Sequence, residues 1–170
     1  MVRNERPSDV IYPSQVYLNG IKKTQTMNIN TYEELVDETI KLYEAIDSHI
    51  GDNTNERASF VGCLVRQAGH DFMDYRPDDS NVGGSDGCSH YDDPDNMGLY
   101  ECVTKFGIDK LYENWNTRVS IADFLVIIAE AVMGRVATDN YGTTYNKNTH
   151  FRDGTYAKTL RDSFKYGRKT

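Results

Sequence analysis

One stretch limits the choice of fold more than any other. Ile121-Ala-Asp-Phe-Leu-Val-Ile-Ile-Ala-Glu-Ala-Val-Met133 is apolar on nearly every side, broken only by Asp123 and Glu130. A helix with no polar face has none to give to water, so it has to lie inside a shell of other elements. The run is too short to cross the hydrocarbon core of a bilayer, so it is expected at the centre of a helical protein and no membrane span is expected. Ser120 with Asp123 three residues on is a cap signal, which places the helix from about 120 to about 134.

Other segments have the period needed to wrap it. Thr31 and Glu34 form a capping box, and Leu35, Val36, Thr39, Ile40, Tyr43 and Ile46 recur at helical spacing, predicting a first helix from about 32 to 49. After the turn cluster Gly51-Asp-Asn-Thr-Asn, the residues Ala58, Val61, Leu64, Val65 and Ala68 define an apolar face on a second helix, about 56 to 73. Leu99, Val103, Phe106, Leu111, Tyr112 and Trp115 predict a third, bent at Gly107. Between the second and third lies a long Gly/Asp-rich loop, 74 to 97, and loops of that length in compact domains usually carry function. Asn19-Gly20 between β-prone runs predicts a small N-terminal β-hairpin over 15 to 22.

The fold class is therefore mainly α, as one domain over 1–170: an extension over 1–30, a helical body over 31–135 and a polar, turn-rich segment over 136–170. A chain of 170 residues buries about two-thirds of its unfolded surface, enough for one real core. At 38% hydrophobic and 26% charged it is too apolar for a disordered chain. The formal charge of -7 opposes a phosphate backbone and removes the counterion-release drive, so nucleic acid is not an expected partner. Three cysteines with no CxxC pair imply neither a closed disulfide framework nor a zinc site, leaving one bridge plus a thiol, or three thiols. Cys63, on an apolar helix face, reads as a small buried hydrophobe. The N-terminus lacks the apolar region of a secretory signal, which leaves the compartment open.

Arg66 and His70 stand four apart on the second helix and project from one face. A neutral imidazole nitrogen can take a proton from a bound oxygen species, while a guanidinium beside it stabilises the negative charge that develops as a bond breaks. That pair suits peroxide cleavage. Twelve tyrosines, among them those at 91, 100, 112, 141, 145, 156 and 166, read as packing and interface residues.

The runs Leu64-Val-Arg-Gln-Ala-Gly-His-Asp71, Gly83-Gly-Ser-Asp-Gly-Cys88, Asp95-Asn-Met-Gly-Leu99 and Ser120-Ile-Ala-Asp-Phe124 resemble, in order, the distal half of the plant, fungal and bacterial haem peroxidase superfamily. The likeness is greatest to its secreted fungal branch, which leans the compartment towards the extracellular. The resemblance implies that His70 moves the peroxide proton and Arg66 stabilises the leaving hydroxide. It implies that Asn96 accepts a hydrogen bond from the imidazole and keeps the other ring nitrogen basic. Gly69 stands where the family has an aromatic ring over the haem, so the pocket would be wider. The resemblance also implies calcium held by Asp71, the backbone of Gly84, Asp86 and position 88, where Cys88 replaces a hydroxyl-bearing residue and is no hard oxygen donor.

It covers about 31 to 135, with a Gly-Arg segment near 167 as well. The family's second half, which carries the proximal histidine that ligates iron, has no counterpart here. Of the remaining histidines, His49, His90 and His150, none reads as its replacement, so haem would need a ligand from a partner chain. Two functions are expected. One is a non-catalytic, self-assembling structural module. The other is the distal half of a two-chain or processed peroxidase. Both expect a homo-oligomer or a complex with a second peroxidase-half chain, because half a domain leaves apolar surface uncovered.

Overall fold

In a computed structural model of the chain, the residues described are 28–46, 56–73, 75, 76, 78 and 84–141, the last five by their backbone alone. They form helices α1 (Ile29–Ala45), α2 (Glu56–Phe72), α3 (Leu99–Lys105), α4 (Ile108–Glu113) and α5 (Ile121–Tyr141), with a 3-10 turn at Pro94–Asn96. No strand occurs among the described residues, and the expected hairpin over 15 to 22 lies outside them. No helix among them is long and apolar enough to cross a membrane.

The apolar run does lie at the centre. Ala122, Phe124, Ile127, Ile128, Ala131 and Val132 are all wholly buried, and α1 and α2 pack against α5. Tyr112 and Trp115 are the largest buried side chains, the Tyr112 ring lying 4.8 Å from that of Phe124. Polar tips in this shell find partners: Tyr32 Oη donates to Glu130 (2.8 Å) and Trp115 Nε1 to Glu38 (2.7 Å). These bonds keep large aromatic bodies in the core without stranding their hydrogens.

Boundaries move for local reasons. Helix α1 starts earlier than expected because Asn28, in extended conformation, is the cap, its Oδ1 accepting from Thr31 N–H at 2.9 Å. Thr31 instead turns its hydroxyl back onto the same oxygen at 3.2 Å. The helix ends earlier, at Ala45, where Arg57 donates to the carbonyls of Glu44 and Ile46 (2.9 Å each) and lies over the Tyr43 ring. Arg57 thus satisfies terminal carbonyls that otherwise lack intrahelical donors and joins α1 to α2. The expected bent third helix is two helices, because Gly107 takes the left-handed conformation at φ 68° and breaks the ladder between α3 and α4. Helix α5 runs on to Tyr141, beyond its expected end near 134.

Of the two cysteine arrangements left open, the structure has one bridge plus a thiol. Cys63 is buried on the inner face of α2 and is bonded to Cys102, tying α2 to α3 across a sequence separation of 39. Cys88 stays outside the bridge and is exposed.

Candidate functional site

Helix α2 is divided between core and solvent. Phe60, Cys63, Leu64, Gln67, Ala68 and Asp71 face inward, and their three- and four-residue spacing turns Gly62, Arg66 and Gly69 outward, with His70 at the boundary. The 3-10 turn reaches this boundary from the other side. Asp93 starts it by accepting from Asp95 N–H (2.9 Å), Pro94 supplies a fixed φ at its first position, and Asn96 N–H closes onto Asp93 C=O (2.9 Å). This brings together three residues that the sequence singles out: Arg66, His70 and Asn96.

Their hydrogen bonds leave one consistent assignment of protons. Asn96 Nδ2 lies 2.8 Å from the carbonyl of His90, which can only accept, so the amide nitrogen points there and Oδ1 points at His70. That oxygen is 2.6 Å from His70 Nδ1, so Nδ1 carries the hydrogen and donates it. Nε2 is then left with its lone pair. Arg66 meets the same nitrogen independently, since its Nε–H donates to Nε2 at 3.4 Å and a guanidinium has nothing to accept with. A second Arg66 nitrogen donates to the Asp95 carbonyl at 3.1 Å, anchoring the cation to the turn that carries Asn96. The result is a basic imidazole nitrogen beside a cation on an open surface. Such a pair can accept a proton from an O–H and hold the oxygen that becomes negative.

The ground around it is open and partly apolar. A side chain at Gly69 would meet nothing within 4 Å, and Phe72, Met73, Tyr75 and Met97 are exposed nearby in sequence. Arg66 and the Nε2 of His70, which accepts from it, lie on the outward side of α2. An iron ligand is another matter. Apart from His70, the described histidine is His90, which is exposed and gives its carbonyl to Asn96, while His49 and His150 lie outside the described residues.

Asp71, next to His70, points inward and is buried. Its Oδ1 accepts from Gly87 N–H and its Oδ2 from the Ser85 hydroxyl, both at 2.8 Å. Ser85 Oγ also lies 3.3 Å from the Ala122 carbonyl, so the clasp reaches the first turn of α5. Burial raises the Asp71 carboxyl above its ordinary value of 3.8, against the lowering effect of the Ser85 and Gly87 hydrogen bonds. Asp86 Oδ1 accepts from Cys88 N–H at 2.8 Å. The donor set expected for calcium does not fit that ion as arranged. Both Asp71 oxygens are engaged by the chain's own hydrogens, and Cys88 offers a soft sulfur at the surface.

Sequence reasoning passes over Gln67, which is 1% exposed although polar. Its amide nitrogen donates to Ser89 Oγ, and Tyr91 Oη reaches its oxygen at 3.5 Å. Burial, with Asp71, Asp109 and Tyr100 adding to it, pushes the Tyr91 hydroxyl up to about 12. The backbone partners of Arg66 and Asn96, the carbonyls of Asp95 and His90, are equally invisible in a sequence. The Asp93-Pro94-Asp95 start of the 3-10 turn is a readable signal inside what reads as plain loop. No family model, curated protein or solved structure matches the chain.

Proposed function

We propose that the chain carries the peroxide-handling side of a haem-peroxidase-like site. The single observation behind this is the Asn96 bridge, which holds His70 in the tautomer whose Nε2 can receive a proton. His70 takes the proton of a hydroperoxide O–H at Nε2 in place of the Arg66 Nε–H it accepts at rest, and the released Arg66 holds the oxygen that gains negative charge as the O–O bond parts. The same imidazolium then returns its proton to the departing oxygen, which leaves as water or an alcohol. Asn96 stays bonded to Nδ1 throughout and keeps the ring from turning. Haem, when bound, supplies the two electrons that reduce the O–O bond. Its iron ligand would come from a partner chain.

Absorption spectra with and without added haemin test this. A Soret band that changes on adding hydrogen peroxide is expected, and Arg66→Leu or His70→Leu should slow the change by about 10²–10⁴-fold. No haem uptake, or uptake with variants as fast as wild type, overturns the reading.

A second reading, a self-assembling structural module, is favoured by the exposed Phe72, Met73, Tyr75 and Met97. Light scattering across a concentration series tests it. Mass that rises with concentration and falls back in Met73→Lys/Met97→Lys supports it, and a monomer at every concentration ends it.

A further inference from the structure

We propose that the Cys63–Cys102 bridge is a positioning element of the His70 site, so that the thiol–disulfide state of this pair decides whether Asn96 stays in register with His70. The inference rests on reading His70 as a proton acceptor and concerns how that role is set.

Cys63 lies on α2 one turn before Arg66 and two turns before His70. Cys102 lies on α3, which follows directly on the turn that carries Asn96. The segment from Asn96 to Cys102 is short and is held at both ends. Met97 N–H bonds to Pro94 C=O (3.2 Å), Cys102 N–H bonds to Gly98 C=O (3.1 Å), and Leu99 is wholly buried between them. A shift of Cys102 relative to Cys63 is therefore passed on to Asn96. Along the chain His70 and Asn96 are 26 residues apart through a loop, and the other hold on the turn is the exposed Arg66 side chain donating to the Asp95 carbonyl at 3.1 Å. The other polar tie between these helices, Lys105 to Glu56 at 2.7 Å, is exposed and joins their far ends. The hydrogen bond at stake is 2.6 Å long and weakens steeply when its geometry is lost. Once it goes, only the long 3.4 Å contact from Arg66 Nε–H still favours the lone pair on Nε2, and the ring can also hold its proton there, where Nε2 cannot act as a base.

The reductant would be a dithiol. Its thiolate attacks one bridge sulfur, and the less buried Cys102 is the accessible one. Its second thiol then closes on the mixed disulfide. Two electrons enter the Cys63–Cys102 bond, each cysteine sulfur ends with one proton, and the dithiol leaves as its own disulfide.

The test reads the His70 ring nitrogens by 15N NMR in haem-free protein, with circular dichroism alongside. It compares the oxidised protein, the protein reduced with dithiothreitol, and Cys63→Val/Cys102→Ala. The expected result is one tautomer with hydrogen on Nδ1 when oxidised, and loss of that single tautomer in the other two samples with helix content unchanged. Restoring the bridge by removing dithiothreitol should restore the signal. An unchanged tautomer in the reduced protein and the variant overturns the proposal. Collapse of helix content in both also overturns it, since the bridge would then hold the fold and not the register. No haem enters the measurement, so the peroxide reading can fail without deciding this one.

Discussion

The helical shell around α5 and the segment from Gly84 to Gly98 are held by different forces. Between the shell and α5, side chains such as Trp115 on one side and Phe124 and Ile127 on the other exclude water over a continuous surface, and each can be exchanged for another of similar volume at modest cost. The 94–96 turn buries no residue at all, and its surroundings are fixed by backbone N–H groups donating to Asp71, Asp86 and Asp93 and by Asn96 donating to the His90 carbonyl. Apolar packing tolerates drift, whereas a hydrogen bond has a length and a direction. The residues that could do chemistry sit where the second kind of force dominates, because a proton acceptor needs its geometry fixed more than it needs to be buried.

Where the two regions touch, a substitution should be felt most. Gly87 is at φ 79°, and a Cβ there would lie 2.2 Å from Ile121 Cγ2 at the start of α5. Gly87→Ala adds left-handed strain to a clash with a core side chain, and should cost roughly 4 kcal/mol in urea unfolding. Gly107→Ala shares the positive φ but meets nothing within 4 Å, so it should cost only about 1 kcal/mol. Equal losses at the two sites would mean that the loop does not bear on the core.

Asp71 comes next in size. Asp71→Ala strands the Gly87 N–H and should cost about 2–3 kcal/mol. Asp71→Asn keeps an acceptor for Gly87, while its amide donates to Ser85 and frees that hydroxyl for Ala122, so the loss should stay below about 1 kcal/mol. The pH dependence gives a sign. Burial raises the folded carboxyl above 3.8, so its contribution is complete below that value and is lost as pH rises through the folded one. Asp71→Asn should therefore gain on wild type as pH rises across that window. A calcium titration sharpens the point: the clasp as drawn predicts no change in melting temperature, and a saturable rise would show the acidic residues reorganising around the ion.

How much of this is readable in advance follows the same division. The central helix, the shell helices and the inward face of α2 are legible because burial repeats at helical spacing, and Arg66, His70 and Asn96 stand out by residue type and order. The cap of α1 is Asn28 and not Thr31, because both residue types can cap and the extended backbone at 28 decides between them. Gly107 looks like a bend in sequence, and only its conformation makes it a break. The Cys63–Cys102 bridge has no periodic signature, and an apolar face conceals a cysteine well. The carbonyls of His90 and Asp95 leave no trace, because any residue supplies one. What fixes the proton on His70 is thus the part a sequence shows least.

The same lock can be tested by a smaller change. Asn96→Ala removes the acceptor for Nδ1 and the donor to His90, and should cost about 1 kcal/mol while leaving His70 with mixed tautomers. Asn96→Asp should keep hydrogen on Nδ1, because a carboxylate accepts there, although its second oxygen faces the His90 carbonyl and loses that bond. If Asn96→Ala retains a single tautomer, Arg66 alone fixes the ring and the turn is dispensable.

Tyr91 should give the smallest effect at neutral pH, and it reports on the boundary from the core side. Its hydroxyl is pushed up to about 12, first by burial and then by the charges of Asp71, Asp109 and Tyr100. The folded value exceeds the ordinary 10.0, so the neutral phenol's contribution is complete below 10.0 and is lost as pH rises towards about 12. Tyr91→Phe keeps the ring beside Tyr100 and gives up the long 3.5 Å contact with Gln67, so near neutrality it should cost less than about 1 kcal/mol. Above pH 10 the variant has no phenolate to bury and should unfold at higher pH than wild type. Tyrosinate absorbance in a pH titration should show one late-ionising tyrosine fewer. A wild-type phenol that titrates at its ordinary value would mean water reaches the Gln67–Tyr91 side, and the loop would then be as open on its inner face as on the face that carries Arg66.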